Sequence, residues 1–194
     1  MNRINPRRIE RENMSKNSLE KFIEGVRPIW GPLTSELVAA CQHHLEELAK
    51  APVMEEWLAG LHREAPAYQE LYREPSQGFV LLAHTELAGL YRPPHDHGRG
   101  WVIYAIQQGE IEMGTYARIE GPDGSVKLVK RDSTLVRAGQ AQVYLPGDIH
   151  DTRCISGPAL LFRFTERDLK KEEKEEHRVT RYVERDGFWT IGEP

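Results

Sequence analysis

Three histidines carry the clearest chemical signal in the sequence. His95 and His97 are separated by one residue within the segment Tyr91–Trp101, and His150 ends the segment Leu145-Pro-Gly-Asp-Ile-His. Side chains two residues apart on a strand leave on the same face, so His95 and His97 can reach one ion. With a third ligand from a distant strand, this spacing predicts a metal centre of His95, His97 and His150. Neutral imidazole suits iron, zinc, copper and nickel.

Length, charge and cysteine content limit the classes of protein to consider. The 194 residues fit one domain with accessory ends, and 39% hydrophobic with 29% charged residues is typical of a globular protein. A net charge of −4 gives no reason to expect nucleic acid or an anionic membrane as a partner. The chain shows no long apolar run, no secretory signal and two cysteines, which predicts a cytoplasmic protein. Either a monomer or a homodimer is expected.

The N-terminal third is predicted to be helical apart from its first residues. Residues 1–30 are polar and basic and predict an arm, while residues 31–75 predict a helical layer of the folded domain 31–194. A helix is expected from Ser35, capped by Thr34 or Ser35 and ended before Pro52. A second, short helix is expected at residues 55–62.

Residues 76–165 predict β-structure and should position the histidines. Turn residues separate short segments rich in β-formers, which predicts an all-β sandwich or barrel. The segments are 79–83, 101–106, 111–119, 125–129, 142–145 and 159–164, and the expected turns include Gln108-Gly109 and 156–158. The charged C-terminal segment 166–194 predicts a solvated helix or loop, followed by an apolar stretch at 188–191 that packs back on the body.

The histidine segments resemble the two motifs of the cupin superfamily. His95-Asp-His97 followed by Gly109 resembles the first motif, and Gly139 through Pro146-Gly-Asp-Ile-His150 resembles the second. The family usually has a glutamate ligand where this chain has Val102, and the resulting set of three histidines is similar to that of thiol dioxygenases such as cysteine dioxygenase. The resemblance, which covers about residues 72–164, implies a cupin double-stranded β-helix (jelly-roll barrel), one Fe²⁺, O₂ activation and a small substrate bound to iron.

Four further residues are candidates for the site. The resemblance places Leu161, Arg163 and Thr165 where cysteine dioxygenases have a Ser-X-His-X-Tyr triad, which predicts a substrate other than cysteine. If Arg163 faces inward, an anionic substrate group would compensate its charge; the alternative is an outer-face arginine paired with an acid. Tyr104 could donate a hydrogen bond to bound oxygen or pack in the core. By the same alignment His84 faces the pocket, and Arg73 lies near the family's carboxylate-binding arginine.

Several functions fit this set of residues. The first is an iron-dependent dioxygenase that adds O₂ to a small anionic substrate, preferably a thiol converted to a sulfinate. The second is a three-histidine cupin dioxygenase that cleaves a carbon–carbon bond in a diketone or aromatic acid. A zinc or nickel isomerase or hydrolase is a third, and a non-catalytic metal-stabilised cupin that binds a small ligand is a fourth. Fe²⁺ is the expected metal, and Zn²⁺, Ni²⁺ and Mn²⁺ stay open.

Overall fold

The computed structural model describes residues 16–192 as a β-barrel with helices on one side. The helices are α1 (Ser18–Val26), a 3₁₀ turn (Arg27–Ile29), α2 (Ser35–Ala49), α3 (Glu56–Glu64) and α4 (Leu169–Lys174). The strands are β1 (Gln69–Arg73), β2 (Val80–Glu86), β3 (Tyr91–His95), β4 (Val102–Glu120), β5 (Val126–Arg137), β6 (Ala141–Tyr144), β7 (Ile149–Thr165), β8 (Tyr182–Arg185) and β9 (Phe188–Ile191). Within the described residues, no helix has the length and apolar character to cross a membrane.

Two long strands organise the barrel. Strand β7 pairs antiparallel with β3 through its first residues, with β2 through its last residues and with β4 along most of its length. Strand β4 pairs with β6 near its start and with β5 beyond Gly109. The predicted all-β double-stranded β-helix with an N-terminal helical layer is confirmed.

Alternation along the central strands separates two hydrophobic cores. On β4, Ile103 and Ala105 pack in the core shared with the helices, whereas Val102, Tyr104 and Ile106 belong to the core inside the barrel. Successive strand residues point to opposite faces, so a strand covered on both sides is apolar throughout. A third cluster, formed by Tyr116, Val126, Leu128, Ile149 and Tyr182, lies further along the barrel strands.

Two predicted turns lie inside continuous strands. The sequence predicts that Gln108-Gly109 separates two strands, but both residues belong to β4, where the pairing with β7 shifts register. Gly109 has φ 85°, and a Cβ there would come within 2.8 Å of the Ala159 side chain. Glycine is therefore needed for a bulge in the strand rather than for a hairpin. The expected turn at 156–158 likewise lies within β7.

The predicted N-terminal arm does not extend to residue 30. Helix α1 begins with a capping box, in which the Asn17 side chain accepts from the Glu20 backbone and Glu20 accepts from the Asn17 backbone. Phe22 and Val26 lie four residues apart on α1 and are buried in the core with α2. One short apolar stripe is too weak a periodic signal to predict this helix; residues 1–15 lie outside the described part. The predicted helix from Ser35, with its Thr34 cap, is confirmed.

The C-terminal segment packs on the barrel more closely than its charge suggests. Helix α4 is short, and its Glu172 side chain is buried and accepts hydrogen bonds from Arg99 and Arg167. The carboxylate holds two guanidinium groups, which explains its burial within a charged run. The stretch at 188–191 forms β9, and Trp189 packs against the barrel residues, as predicted.

Candidate metal centre

The structure brings the three predicted histidines together at one end of the barrel interior. One ring nitrogen from each of His95, His97 and His150 lies within 4.8 Å of the other two. The ring centroids are 5.2 Å apart for His95–His97, 4.7 Å for His95–His150 and 5.0 Å for His97–His150. Three rings at nearly equal separation surround a common point, which is the arrangement that one ion requires.

Strand pairing and a short loop fix these side chains. His95 ends β3 directly opposite His150 on β7. The Asp96 backbone N–H donates to the Thr180 carbonyl, and the Asp96 side chain accepts from the backbone N–H groups of Gly98 and Thr180. The chain thus stays extended past the strand end, so that His97 emerges on the same side as His95.

The nitrogen atoms are suitably disposed for a transition metal. His95 Nδ1 lies 2.9 Å from the Pro93 carbonyl oxygen, which can only accept, so Nδ1 carries the proton and Nε2 is free to bind. The Nε2 atoms of His97 and His150 are 3.4 Å apart. Two nitrogens bound to one ion at about 2.1 Å lie roughly 3.0–3.5 Å apart for angles between octahedral and tetrahedral. The residues fit a single metal ion held through three Nε2 atoms.

Burial keeps these imidazoles in the form that binds metal. Burial lowers the pKa of His97 and of His150 well below the ordinary value, and the neighbouring histidines lower them further. The pKa of His95 is lowered by the same cause, although that ring is partly exposed. Because their pKa values are lowered, the three side chains are neutral at physiological pH. The neutral imidazole is the form that binds a metal ion.

Two tyrosines adjoin the histidines. The Tyr104 hydroxyl lies 3.3 Å from His97 Nε2, next to the point where the three rings meet. Burial raises the pKa of Tyr104, so that it is a protonated donor there, although Arg163 opposes this shift. The Tyr144 ring stacks on His150 with centroids 3.9 Å apart. Tyr104 therefore lies beside the histidine cluster, while the Tyr144 ring packs against His150.

A cavity of about 420 Å³ opens beside the histidines. Its lining includes His95, Tyr104, His84 and Arg163, which places three of the four additional candidates within one volume. The volume falls in the range of roughly 300–1,000 Å³ typical of small-molecule sites. Arg163 is partly buried on β7, opposite Tyr104 on β4, and its Nε atom finds no hydrogen-bond partner among residues 16–192.

Arg73 lies elsewhere, and its predicted substrate contact is corrected. Its guanidinium donates to the carboxylates of Glu70 and Asp168 at the surface, and it is not part of the cavity lining. The two carboxylates already satisfy this arginine. It ties β1 to the start of α4 instead of contacting a ligand.

Several residues that shape this site carry no signal in the sequence. Asp151 follows His150 and accepts hydrogen bonds from Tyr91, Tyr116 and the Gly114 backbone. Glu86, which lies on β2 two residues after His84, lines the cavity together with Arg92. No local signal indicated Glu86, because its burial follows from the pairing of β2 with β7.

Comparisons with known proteins support no assignment of activity. No model of a known family matches the sequence, and no curated protein matches it. The chain is similar to the structure of KdgF from Halomonas sp. (17% identity, 50% of this chain, 74% of that chain, TM-score 0.40). It is also similar to the Cnp3 cupin domain of Schizosaccharomyces pombe (15% identity, 56% of this chain, 69% of that chain, TM-score 0.41). A third similar structure is an uncharacterized protein with a double-stranded β-helix domain from Klebsiella pneumoniae (16% identity, 52% of this chain, 70% of that chain, TM-score 0.38). These similarities are too distant to transfer a substrate or reaction.

Acid should destabilise the protein partly through His84. Burial lowers the pKa of His84 to about 3, and the charges of Arg163 and Arg92 add to the shift. In the unfolded chain the pKa of His84 is about 6.5, so below that pH the unfolded chain binds a proton that the native protein does not bind. The contribution of His84 to the free energy of unfolding is therefore fully present above about pH 6.5 and declines as the pH falls toward 3. Between about pH 7.5 and pH 5 this residue should account for roughly 2 kcal/mol of lost unfolding free energy.

Urea unfolding at the two pH values, in the presence of a chelator, measures this contribution. The His84→Asn variant should lose less stability on acidification than the wild type, since all other histidines are common to both proteins. An equal loss in the two proteins would show that His84 is not buried in its neutral form.

Proposed function

We propose that the protein is a metal-dependent enzyme, a mononuclear non-haem iron dioxygenase that adds O₂ to a small anionic substrate. The observation that carries the proposal is the meeting of three neutral histidines, of which His95 lines a small-molecule cavity that also holds Arg163. The first choice of reaction converts a thiol and one O₂ molecule to a sulfinic acid, with both oxygen atoms retained in the product. A substrate other than cysteine is proposed, because Leu161, Arg163 and Thr165 replace the family's triad.

The charge balance of the site favours an anionic substrate. Three neutral ligands leave both charges of a divalent ion uncompensated, and Arg163 adds a third positive charge nearby. Bound iron would supply the activation of O₂ and a position for the substrate. Arg163 would bind the acidic group of the substrate through its planar guanidinium. The protonated Tyr104 hydroxyl, 3.3 Å from His97 Nε2, would be a hydrogen-bond donor to a ligand held beside the metal position.

Iron is proposed from the resemblance to three-histidine dioxygenases, since imidazole ligands alone also suit zinc and nickel. Manganese is a further candidate. Two other functions would use the same residues: cleavage of a carbon–carbon bond in a diketone or aromatic acid, and ligand binding by a non-catalytic cupin. We further propose a cytoplasmic protein, monomeric or homodimeric, that has neither nucleic acid nor a membrane as a partner.

Metal analysis followed by an oxygen-electrode screen tests the function. Protein purified without oxygen should contain close to one iron per chain and should consume O₂ with one of a set of small thiols or diketones. Sulfinate formed in a one-to-one ratio with consumed O₂ would identify the thiol reaction. Zinc or nickel with activity in the absence of O₂ would indicate the hydrolase or isomerase class, and bound metal without turnover would indicate a binding protein.

A further inference from the structure

Strand β2 places two buried polar side chains in the cavity wall away from the histidine cluster. His84 and Glu86 are two residues apart, so they share one face of the strand, and both line the cavity. His84 is 8% exposed and Glu86 is 2% exposed. Each has a side-chain atom that is buried and lacks a hydrogen-bond partner in the described part of the chain, namely His84 Nε2 and Glu86 Oε2.

The free atom of His84 is an acceptor. Its Nδ1 lies 3.2 Å from the Ala67 carbonyl oxygen, and a carbonyl can only accept, so Nδ1 carries the proton. Because burial keeps the ring neutral, Nε2 then has a lone pair and no proton. A ligand atom that pairs with His84 Nε2 must therefore be a donor.

The free atom of Glu86 is also an acceptor. Its Oε1 accepts a hydrogen bond of 2.7 Å from Arg92 Nε, which fixes the carboxylate and directs its other oxygen away from that partner. A buried carboxylate oxygen is costly to leave unsatisfied, so a ligand donor in the cavity would stabilise it. Glu86 and His84 thus each contribute one free acceptor atom from the same strand to the cavity wall.

The charge around these acceptors favours a neutral donor over a cation. Arg92, Arg163 and Arg181 all line the cavity; Arg92 pairs with Glu86 and Arg181 pairs with Glu173, whereas no acid pairs with Arg163 within the described residues. Glu86 is already paired with Arg92, and Arg163 and Arg92 act on His84 as positive charges. An ammonium group would face net repulsion there, while a hydroxyl group would not.

We propose that the cavity binds a small acid that also carries a hydroxyl group remote from the acid. The acid group faces Arg163 and the histidine cluster, and the hydroxyl donates its proton to Glu86 Oε2, the charged acceptor, in preference to the neutral His84 Nε2. The inference rests on the proposed function only in placing the acid beside the metal. It adds that a hydroxyl-bearing acid is preferred over the same acid without the hydroxyl, and it names Glu86 and His84 as the residues that determine this preference.

Calorimetric binding of matched straight-chain acids to the metal-loaded protein tests the preference without any turnover. The probes are the ω-hydroxy acids of about four to six carbons, each compared with the plain acid of equal length and with the ω-amino acid. In these probes the hydroxyl is too far from the carboxylate for the pair to chelate the metal in the manner of an α-hydroxy acid. At the best chain length the hydroxy acid should bind about tenfold more tightly than the plain acid, as expected of one hydrogen bond to a charged group.

Glu86→Gln is the variant that isolates the acceptor. Arg92 should hold the amide oxygen of the introduced glutamine, which leaves the NH₂ group, a donor, where Oε2 was free. The hydroxyl could then only accept from a neutral amide instead of donating to a carboxylate, so its preference should fall severalfold, with little change in affinity for the plain acid. The matched control is Glu110→Gln, since Glu110 pairs with Arg137 at the surface, and it should keep the full preference.

The outcomes separate this inference from the proposed reaction. Equal binding of the two acids by the wild type, no binding of either, tighter binding of the amino acid, or an unchanged preference in Glu86→Gln would each overturn it. If Glu86→Gln fails to fold, loss of the preference in Glu86→Leu provides the same test, since leucine has no acceptor. A retained hydroxyl preference in a protein that never consumes O₂ would contradict the dioxygenase and leave the hydroxy-acid site standing.

Discussion

Replacing His150 with alanine is expected to reduce bound metal from about one ion per chain to under a tenth of that after dialysis. His150 supplies one of three nitrogens and lies fully buried opposite His95. Loss of a residue that merely supports a ligand costs about 10–100-fold in metal affinity, so loss of a ligand itself should cost more. His97→Ala should give the same result, since its Nε2 lies 3.4 Å from that of His150.

Elemental analysis of the dialysed proteins measures this effect. His43→Ala is the matched control, because His43 is exposed on α2 far along the chain from the cluster, and it should retain the full metal content. The wild type should also gain thermal stability on metal addition, by an amount that grows with metal concentration, whereas His150→Ala should not. A stoichiometric metal content in His150→Ala would remove His150 from the ligand set.

The histidine cluster could be predicted from sequence because its signal is local. His95 and His97 share a face through the geometry of a single extended segment, and the turn before His150 marks where a strand begins. The structure required only that these two segments be neighbours, which the pairing of β3 with β7 provides. The helix from Ser35 was predictable for the same reason. Its cap, Thr34, directly precedes the first turn, and its apolar residues recur at helical spacing along the segment.

Tyr144 and Glu86 could not be assigned roles because their roles depend on register between distant strands. Tyr144 stacks on His150 through the positions of β6 and β7 relative to β4, which no short window of sequence contains. Glu86 reads locally as the polar end of a strand, and its burial follows from the pairing of β2 with β7. A one-residue change of register would turn either side chain to the opposite face.

The error at Arg73 has a similar origin. Its assignment depended on an alignment across a gap, where a shift of one residue on β1 reverses the side of the sheet. The bulge between Glu70 and Tyr72 is such a local irregularity, and it leaves Arg73 beside Asp168 at the surface. Arg163, by contrast, lies within a regular stretch of β7 where alternation holds.

Replacing Arg163 with leucine is expected to raise KM for the anionic substrate by about one to two orders of magnitude, since a hydrogen bond to a charged group contributes roughly 1.5–3 kcal/mol. Arg163 lines the cavity with an unpartnered Nε in the described residues, and the bound acid would supply the missing partner. The metal content should stay unchanged because Arg163 is not a ligand. Arg163→Lys should recover part of the loss, since an ammonium cannot reproduce the planar pair of donors.

The measurement is KM for the thiol or diketone found in the oxygen-electrode screen, together with the dissociation constant of a plain straight-chain acid. Arg73→Leu is the matched control: it removes an arginine that already pairs with Glu70 and Asp168, so both constants should remain at wild-type values. An unchanged KM in Arg163→Leu, with metal content intact, would show that the guanidinium does not bind the acid. The positive charge of the metal would then be what attracts an anionic substrate. In that case the affinity of the plain acid should be lost when the metal is removed and should not depend on Arg163.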